Sequence, residues 1–309
     1  MTPLRSNLGG GAAAVAVLLL GCEPAPDAGR TDTSAGTVAT SAPPAVTTSA
    51  AAAPSRPTAG RVAPLASGST ASPSSLACPT DMALVNGNYC RRTKQRCLER
   101  PKVLGTNTYK QCQRYEAASC LDKERRPMRF CMDRYEWPNQ KGQLPRTLVS
   151  WPEARKFCAS VGKRLCTEHE WQFACEGETM KAHVYGDRRD DSKCNFDRPY
   201  IARTYNYEPW DECMAKPACK KEYERLDQRK PAGSMPGCVS EHGVYDLNGN
   251  ANEWVFRTDQ RSPRRSGLKG GWWGPVRNRC RPMTTFHLEG DYGYEVGFRC
   301  CRDAEESSP

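Results

Sequence analysis

Cysteine placement constrains this chain more than any other feature. It has seventeen cysteines: Cys22 stands alone, and the other sixteen fall between Cys78 and Cys301. That density in one ordinary-sized domain suits an oxidising compartment rather than a reducing cytosol. Sixteen is even, so up to eight bridges can form, and spacing alone leaves their connectivity open. No two cysteines are spaced C-x-x-C. That spacing is what zinc ribbons and thioredoxin-type redox sites use, so neither is expected.

The aromatic residues divide the chain at the same place. Residues 1–77 contain no Phe, Trp or Tyr. A segment without aromatics and with few large aliphatics cannot bury enough apolar surface to offset its ordering entropy. Three parts follow: 1–22, an export signal; 23–77, an unfolded Ala/Ser/Thr/Pro linker; and 78–309, a folded domain. No stretch of the folded part approaches eighteen apolar residues, which excludes a polytopic membrane protein.

At the front, Arg5 precedes a short apolar core from Ala12 to Leu20, the pattern of a signal peptide. It ends in Leu19-Leu20-Gly21-Cys22, which resembles the lipobox of bacterial lipoproteins. The resemblance implies cleavage before Cys22, a lipid on its sulfur and anchoring in the cell envelope, at the periplasmic face or the cell surface. The linker that follows would reach about 40 Å as a flexible coil, enough to lift the domain off the membrane.

Two helices are legible in the folded part. Ser150-Trp151-Pro152-Glu153 has the form of a capping box with proline in the first turn. Trp151, Ala154, Cys158 and Val161 follow at helical spacing, and Gly162 is a natural stop. Thr167-Glu168-His169-Glu170 repeats the capping logic and opens a helix carrying Trp171, Phe173, Ala174 and Cys175. Elsewhere strand signals are short and turn residues dense, so a loop-rich, disulfide-stapled α+β domain is expected.

The motifs around those helices resemble the formylglycine-generating, sulfatase-modifying-factor domain family. Five blocks occur in family order. They are Met82-Ala83-Leu84-Val85, Asp133-Arg134-Tyr135-Glu136, the Ser150 to Trp171 stretch, Gly243 to Trp254, and Lys269-Gly270-Gly271-Trp272 with Gly297-Phe298-Arg299-Cys300. The resemblance implies a C-type-lectin-like variant fold. It also implies two bridges, Cys158–Cys300 and Cys175–Cys280. The remaining twelve domain cysteines read as local staples, several of them in insertions at 90–131 and 194–238.

The family oxidase works through a thiol pair in the loop after Gly-Gly-Ser, where copper and oxygen act on a substrate cysteine. Thiolates suit that chemistry because they ligate Cu(I) and exchange with a substrate thiol. Here the loop runs Gly270-Gly271-Trp272-Trp273-Gly274-Pro275-Val276-Arg277-Asn278-Arg279-Cys280. Trp272 replaces the serine, Pro275 occupies the first thiol position, and the shortened loop has no second one. No catalytic residue is therefore assigned, and copper is not expected. Another branch of the family uses iron on His-x-x-x-His-x-Glu; the four histidines, His169, His183, His242 and His287, are not so spaced.

A calcium block is better kept. The resemblance implies a structural calcium ion held by Asp246 and Glu253 through carboxylates and by Gly249 and Ala251 through carbonyls, a mixture of oxygens that calcium favours. A second calcium position is implied near Cys194-Asn195-Phe196.

Net charge is +10, almost all of it in the folded part. Basic clusters occur at Arg91–Arg96 and Arg261–Arg265. A basic, tryptophan-bearing cleft suits a protein or acidic glycan ligand; no nucleic-acid motif is present. The sequence thus points to a membrane-anchored, non-catalytic member of this family acting as a binding or assembly module. The alternative is a formylglycine-generating thiol oxidase with rearranged cysteines.

Overall fold

The structure is a computed structural model that describes residues 77–103, 110–206 and 208–305. The expected signal peptide, Cys22 and the expected linker fall on residues 1–76, outside the described residues.

The main sheet has four strands in the order β1-β6-β11-β7, all neighbours antiparallel. They are β1 (Met82–Tyr89), β6 (Arg126–Asp133), β11 (Cys300–Asp303) and β7 (Arg164–Leu165). Between β1 and β6 lie four two-residue strands in two small hairpins. β2 (Thr93–Lys94) pairs with β5 (Ser119–Cys120), and β3 (Lys102–Val103) with β4 (Lys110–Gln111). A second sheet has the order β10-β8-β9, from β8 (Asn252–Phe256), β9 (Ser266–Lys269) and β10 (Val296–Phe298). In it β10 runs parallel to β8, and β9 antiparallel.

Both expected helices form. α1 (Trp151–Ser160) begins with Ser150, whose backbone N–H donates to Glu153 Oε2 at 2.8 Å. It ends at Gly162, φ +69°, where the Gly162 and Lys163 amides donate to Ala159 and Cys158 carbonyls. Those bonds satisfy carbonyls that the last helical turn leaves open. α2 (Glu168–Glu176) carries a reciprocal capping box between Thr167 and Glu170. Two further helices, α3 (Trp210–Ala215) and α4 (Pro217–Leu226), were not legible in the sequence. They fold the 194–238 insertion.

α2 lays Trp171, Phe173 and Ala174 against Ala83 and Val85 of β1 and Phe130 and Met132 of β6. α1 packs Trp151, Ala154 and Cys158 against Leu165, Trp254 and Phe298. Two of the buried indoles spend their N–H groups on backbone carbonyls: Trp151 Nε1 donates to the Val255 carbonyl and Trp254 Nε1 to the Val149 carbonyl. A third cluster joins Cys213, Cys219 and Tyr223 of the insertion to Leu148, Trp273 and Tyr294.

All sixteen domain cysteines are paired, in eight bridges. Cys158–Cys300 and Cys175–Cys280 form as the motifs implied. Cys90–Cys120 and Cys97–Cys112 staple one insertion, Cys194–Cys238 and Cys213–Cys219 the other. One bridge departs from the local-staple expectation. Cys166–Cys301 spans 135 residues and lies beside Cys158–Cys300, because β11 pairs with β7 and carries both Cys300 and Cys301.

Candidate functional site

The loop from Gly270 to Cys280 leaves β9 and returns to the α2 bridge. Gly270 and Gly271 both adopt positive φ, at +83° and +75°. A Cβ at Gly271 would stand 2.5 Å from Asn278 Nδ2, so the turn accepts only glycine there. Asn278 is the loop's clasp. Its Nδ2 donates to the Trp272 carbonyl, and its Oδ1 accepts from Val276 N and Arg189 Nη2. Gln111, on β4, donates to the Pro275 carbonyl at 3.3 Å. Pro275 is buried within the loop, and the loop's one sulfur, Cys280, is bonded to Cys175.

Trp273 turns inward and is fully buried, while Trp272 stays half-buried and stands edge-on to Tyr294 at 5.8 Å. Trp272 separates two adjoining hollows of one cleft. The first, about 190 Å³, is lined by Asn252, Gly271, Thr284, Phe286 and His287. The second, about 320 Å³, is lined by Tyr200, Arg203, Trp254, Tyr292 and Tyr294. Glu295 borders both. Its Oε2 is buried without a hydrogen-bond partner, and burial pushes its carboxyl above the usual range. This cleft offers aromatic faces and one unsatisfied acceptor, with no thiol among the described residues.

The residues read for calcium lie behind the cleft, in the core. Glu253 is gripped by Arg299, Nε to Oε2 and Nη2 to Oε1, each 2.7 Å, and Trp171 Nε1 donates to Oε2 at 2.8 Å. Three of its roughly four lone-pair sites are thus used, and a cation already sits against it. Asp246 Oδ2 accepts from Gly233 N, and burial, with Glu253 adding repulsion, pushes its carboxyl up to about 6. Gly249 is pressed against Asn195, a Cβ there falling 2.2 Å from the Asn195 carbonyl oxygen. The Ala251 amide donates to Glu136 Oε1. The set Asp246, Gly249, Ala251, Glu253 therefore does not fit a calcium ion with Glu253 as its charged ligand. Asn195 is likewise engaged, its Oδ1 accepting from Arg198. Among the described residues, three metal-type side chains converge only at Cys90, Cys120 and Asp122, and those two cysteines are bonded to each other.

Glu136 is the buried residue that sequence reading quoted only as a landmark. Asn250 Nδ2 donates to its Oε2 at 2.7 Å. Burial first, then Asp246 and Glu253, pushes its carboxyl well up. The histidines are scattered. His169 meets Tyr89, His287 meets Asp291, His242 packs on Phe173, and His183 is buried beside Tyr185. The basic clusters are partly neutralised: Arg92 pairs with Asp122, Arg96 with Glu116 and Arg265 with Glu289.

Comparison with known proteins bears on this site. The model of the sulfatase-modifying factor enzyme 1-like domain matches residues 103–304. A mouse protein named inactive C-alpha-formylglycine-generating enzyme 2 is 30% identical over 174 residues, 53% of this chain and 51% of that protein. The cattle protein of the same name is 30% identical over 53% of this chain and 52% of its own length. The chain thus spans about half the length of these curated relatives. Among solved structures, CarF is 16% identical, covering 74% of this chain and 99% of its own, with TM-score 0.47. PvdO from Pseudomonas aeruginosa is 16% identical, covering 74% and 97%, with TM-score 0.44.

Proposed function

The chain belongs to the sulfatase-modifying factor enzyme 1-like family, and from that premise we propose that it is a binding or assembly module and not a thiol oxidase. One observation carries this reading: every cysteine of the domain is held in a disulfide, including Cys280, so the loop beside the cleft presents no thiol. Copper-dependent oxidation of a substrate cysteine needs thiolates to ligate the metal. The relatives named as inactive enzymes are consistent with it. What remains is a cleft walled by Trp272, Tyr292 and Tyr294, the kind of aromatic surface that binds a ligand's apolar faces. The partner in this reading is a protein segment or an acidic glycan. The Leu19–Cys22 sequence supports anchoring in the cell envelope, with residues 23–77 as the tether.

Purified protein incubated with copper and a Cys-x-Pro-x-Arg peptide tests the catalytic half. The peptide cysteine stays a thiol; its conversion to an aldehyde would overturn the proposal. Mass spectrometry of the mature amino terminus tests the anchor, with a diacylglyceryl group expected on Cys22 and an unmodified Cys22 counting against it.

A further inference from the structure

A hollow of about 500 Å³ opens beside the end of β1 and shares no residue with the aromatic cleft. Four cations line it, Arg91, Arg92, Lys123 and Arg126, against two carboxylates, Asp122 and Glu124. Arg92 and Asp122 neutralise each other, Nε donating to Oδ1 at 2.8 Å. The other three cations are exposed, and among the described residues no hydrogen bond or ion pair holds their side chains. Of the lining residues, that leaves one carboxylate, Glu124, against three free cations. The backbone that carries them is fixed. The Cys90–Cys120 bridge ties one side of the hollow to the other, and Arg281 donates to the Cys90 and Arg91 carbonyls at 2.8 and 2.9 Å.

The two remaining lining residues, Tyr89 and His169, are oriented from inside the core. Lys269 Nζ donates to Gln172 Oε1 at 3.2 Å, which turns Gln172 Nε2 towards Tyr89 Oη at 3.0 Å. The hydroxyl accepts that bond, so its own hydrogen goes to His169 Nδ1, 3.2 Å away. A neutral imidazole that accepts at Nδ1 carries its proton on Nε2. Nε2 has no hydrogen bond: Glu168 Oε1 stands 3.8 Å from it and accepts from Thr258 instead. Burial, then the Arg91, Lys269 and Arg126 cations, hold His169 below the ordinary imidazole value, with Glu168 only partly opposing. The ring therefore brings one directed N–H donor to a hollow whose charge is positive.

We propose that this hollow binds an oxyanion, a sulfate or phosphate group, between the Arg91 and Arg126 guanidinium groups, with His169 Nε2–H as its directed donor. A planar guanidinium can give such a group two parallel N–H bonds. Lys123 adds charge to the wall and Glu124 opposes binding. Tyr89 is a positioning residue, because it sets which imidazole nitrogen carries the proton. The volume is that of a small-molecule site rather than of a bare ion, so the group can arrive free or on a sugar. The site stands whether or not the aromatic cleft is catalytic.

Calorimetric titration of the full chain with sodium sulfate and sodium phosphate, at ionic strength held constant with sodium chloride, tests it. One saturable site is expected. Arg91→Gln and Arg126→Gln should each weaken it about tenfold, and neither removes a bond that holds the fold. Glu124→Gln should tighten it several-fold. A second arm titrates a sulfated disaccharide: clearly tighter binding than inorganic sulfate assigns the group to a sugar, equal affinity to the free ion. Nitrogen–proton correlation spectra of isotope-labelled protein should show His169, identified by its loss in His169→Phe, as the Nε2–H tautomer. Sulfate should shift that resonance with the calorimetric affinity. Heats no different from those of chloride, unchanged affinity in both arginine variants, or an Nδ1–H tautomer would overturn the proposal.

Discussion

Arg299 and Glu253 face each other through two 2.7 Å hydrogen bonds, with both side chains at most 1% exposed. The pair joins the second sheet to the turn before β11. Arg299 also donates to the Tyr245 carbonyl, which fixes the chain entering Asp246. Removing one partner strands the other as an unpaired buried charge, which typically costs about 3–5 kcal/mol. Glu253→Gln and Arg299→Met should each lower unfolding free energy by about that much in urea titration. The double variant Glu253→Leu/Arg299→Met should lose less than the two singles combined. A loss below about 1 kcal/mol in both singles would mean the pair is not buried in solution.

The same pair decides the response to calcium. A ligand at a hundred times its dissociation constant stabilises by about 2.7 kcal/mol. In a domain of this size that moves the melting midpoint by roughly 5–10 °C. Since Glu253 is committed to Arg299 and Trp171, millimolar calcium and excess chelator should give the same midpoint within about 1 °C. A difference of several degrees would show that Asp246 and its neighbours hold the ion after all.

What the sequence revealed and what it hid follow a physical line. The capping residues Ser150, Thr167 and Gly162 act on bonds three or four residues away, so α1 and α2 could be read directly. α4 was not read, although Cys219, Tyr223 and Leu226 recur on one buried face: the Lys216 before it makes no side-chain cap, and the six-residue Cys213–Cys219 bridge helps hold it. The substitutions at Trp272 and Pro275 were legible because the surrounding motif fixes the register. The stacking of Arg279 on Tyr115 was not: the two are far apart in the chain, and the hairpin that carries Tyr115 brings them together. Glu136 was legible as part of a motif, but its burial against Asn250 and Ala251 is a tertiary fact. In the same way, the Cys166–Cys301 partnership became visible only once β7 and β11 were seen to pair.

That neighbouring bridge has an energetic consequence. Cys158–Cys300 closes 142 residues, but with Cys166–Cys301 intact the effective loop is only about 10 residues, worth about 3 kcal/mol on chain-entropy grounds. Once one of the two is gone, the other is limited by Cys175–Cys280 to an effective loop of roughly 30 residues, worth about 4 kcal/mol. Replacing either pair with alanines should therefore cost about 3 kcal/mol. Replacing both should cost on the order of 1 kcal/mol more than the sum. Strict additivity in denaturant titrations would argue against the adjacent arrangement.

Glu176 makes pH the last lever. It is fully inside, its Oε1 accepting from Arg281 Nη2 at 2.6 Å and its Oε2 without a partner. Gln172 lies against it. Lys269, which donates to Gln172 and the Arg281 carbonyl, is itself lowered to about 7 by burial. Burial, only partly opposed by Arg281 and Lys269, pushes the Glu176 carboxyl up to about 7 from its ordinary 4.5. The folded protein then binds more protons than the unfolded chain between those values, so this group's stability contribution falls as pH rises from about 4.5 through 7 and is flat above. At 1.36 kcal/mol per unit the full change is about 3 kcal/mol. Glu176→Gln keeps the side chain's shape and cannot ionise. Subtracting its unfolding free energy from that of the wild type should give a difference that drops by roughly 2–3 kcal/mol between pH 5 and pH 8. A flat difference across that range would mean that Glu176 ionises in the folded protein as easily as in water.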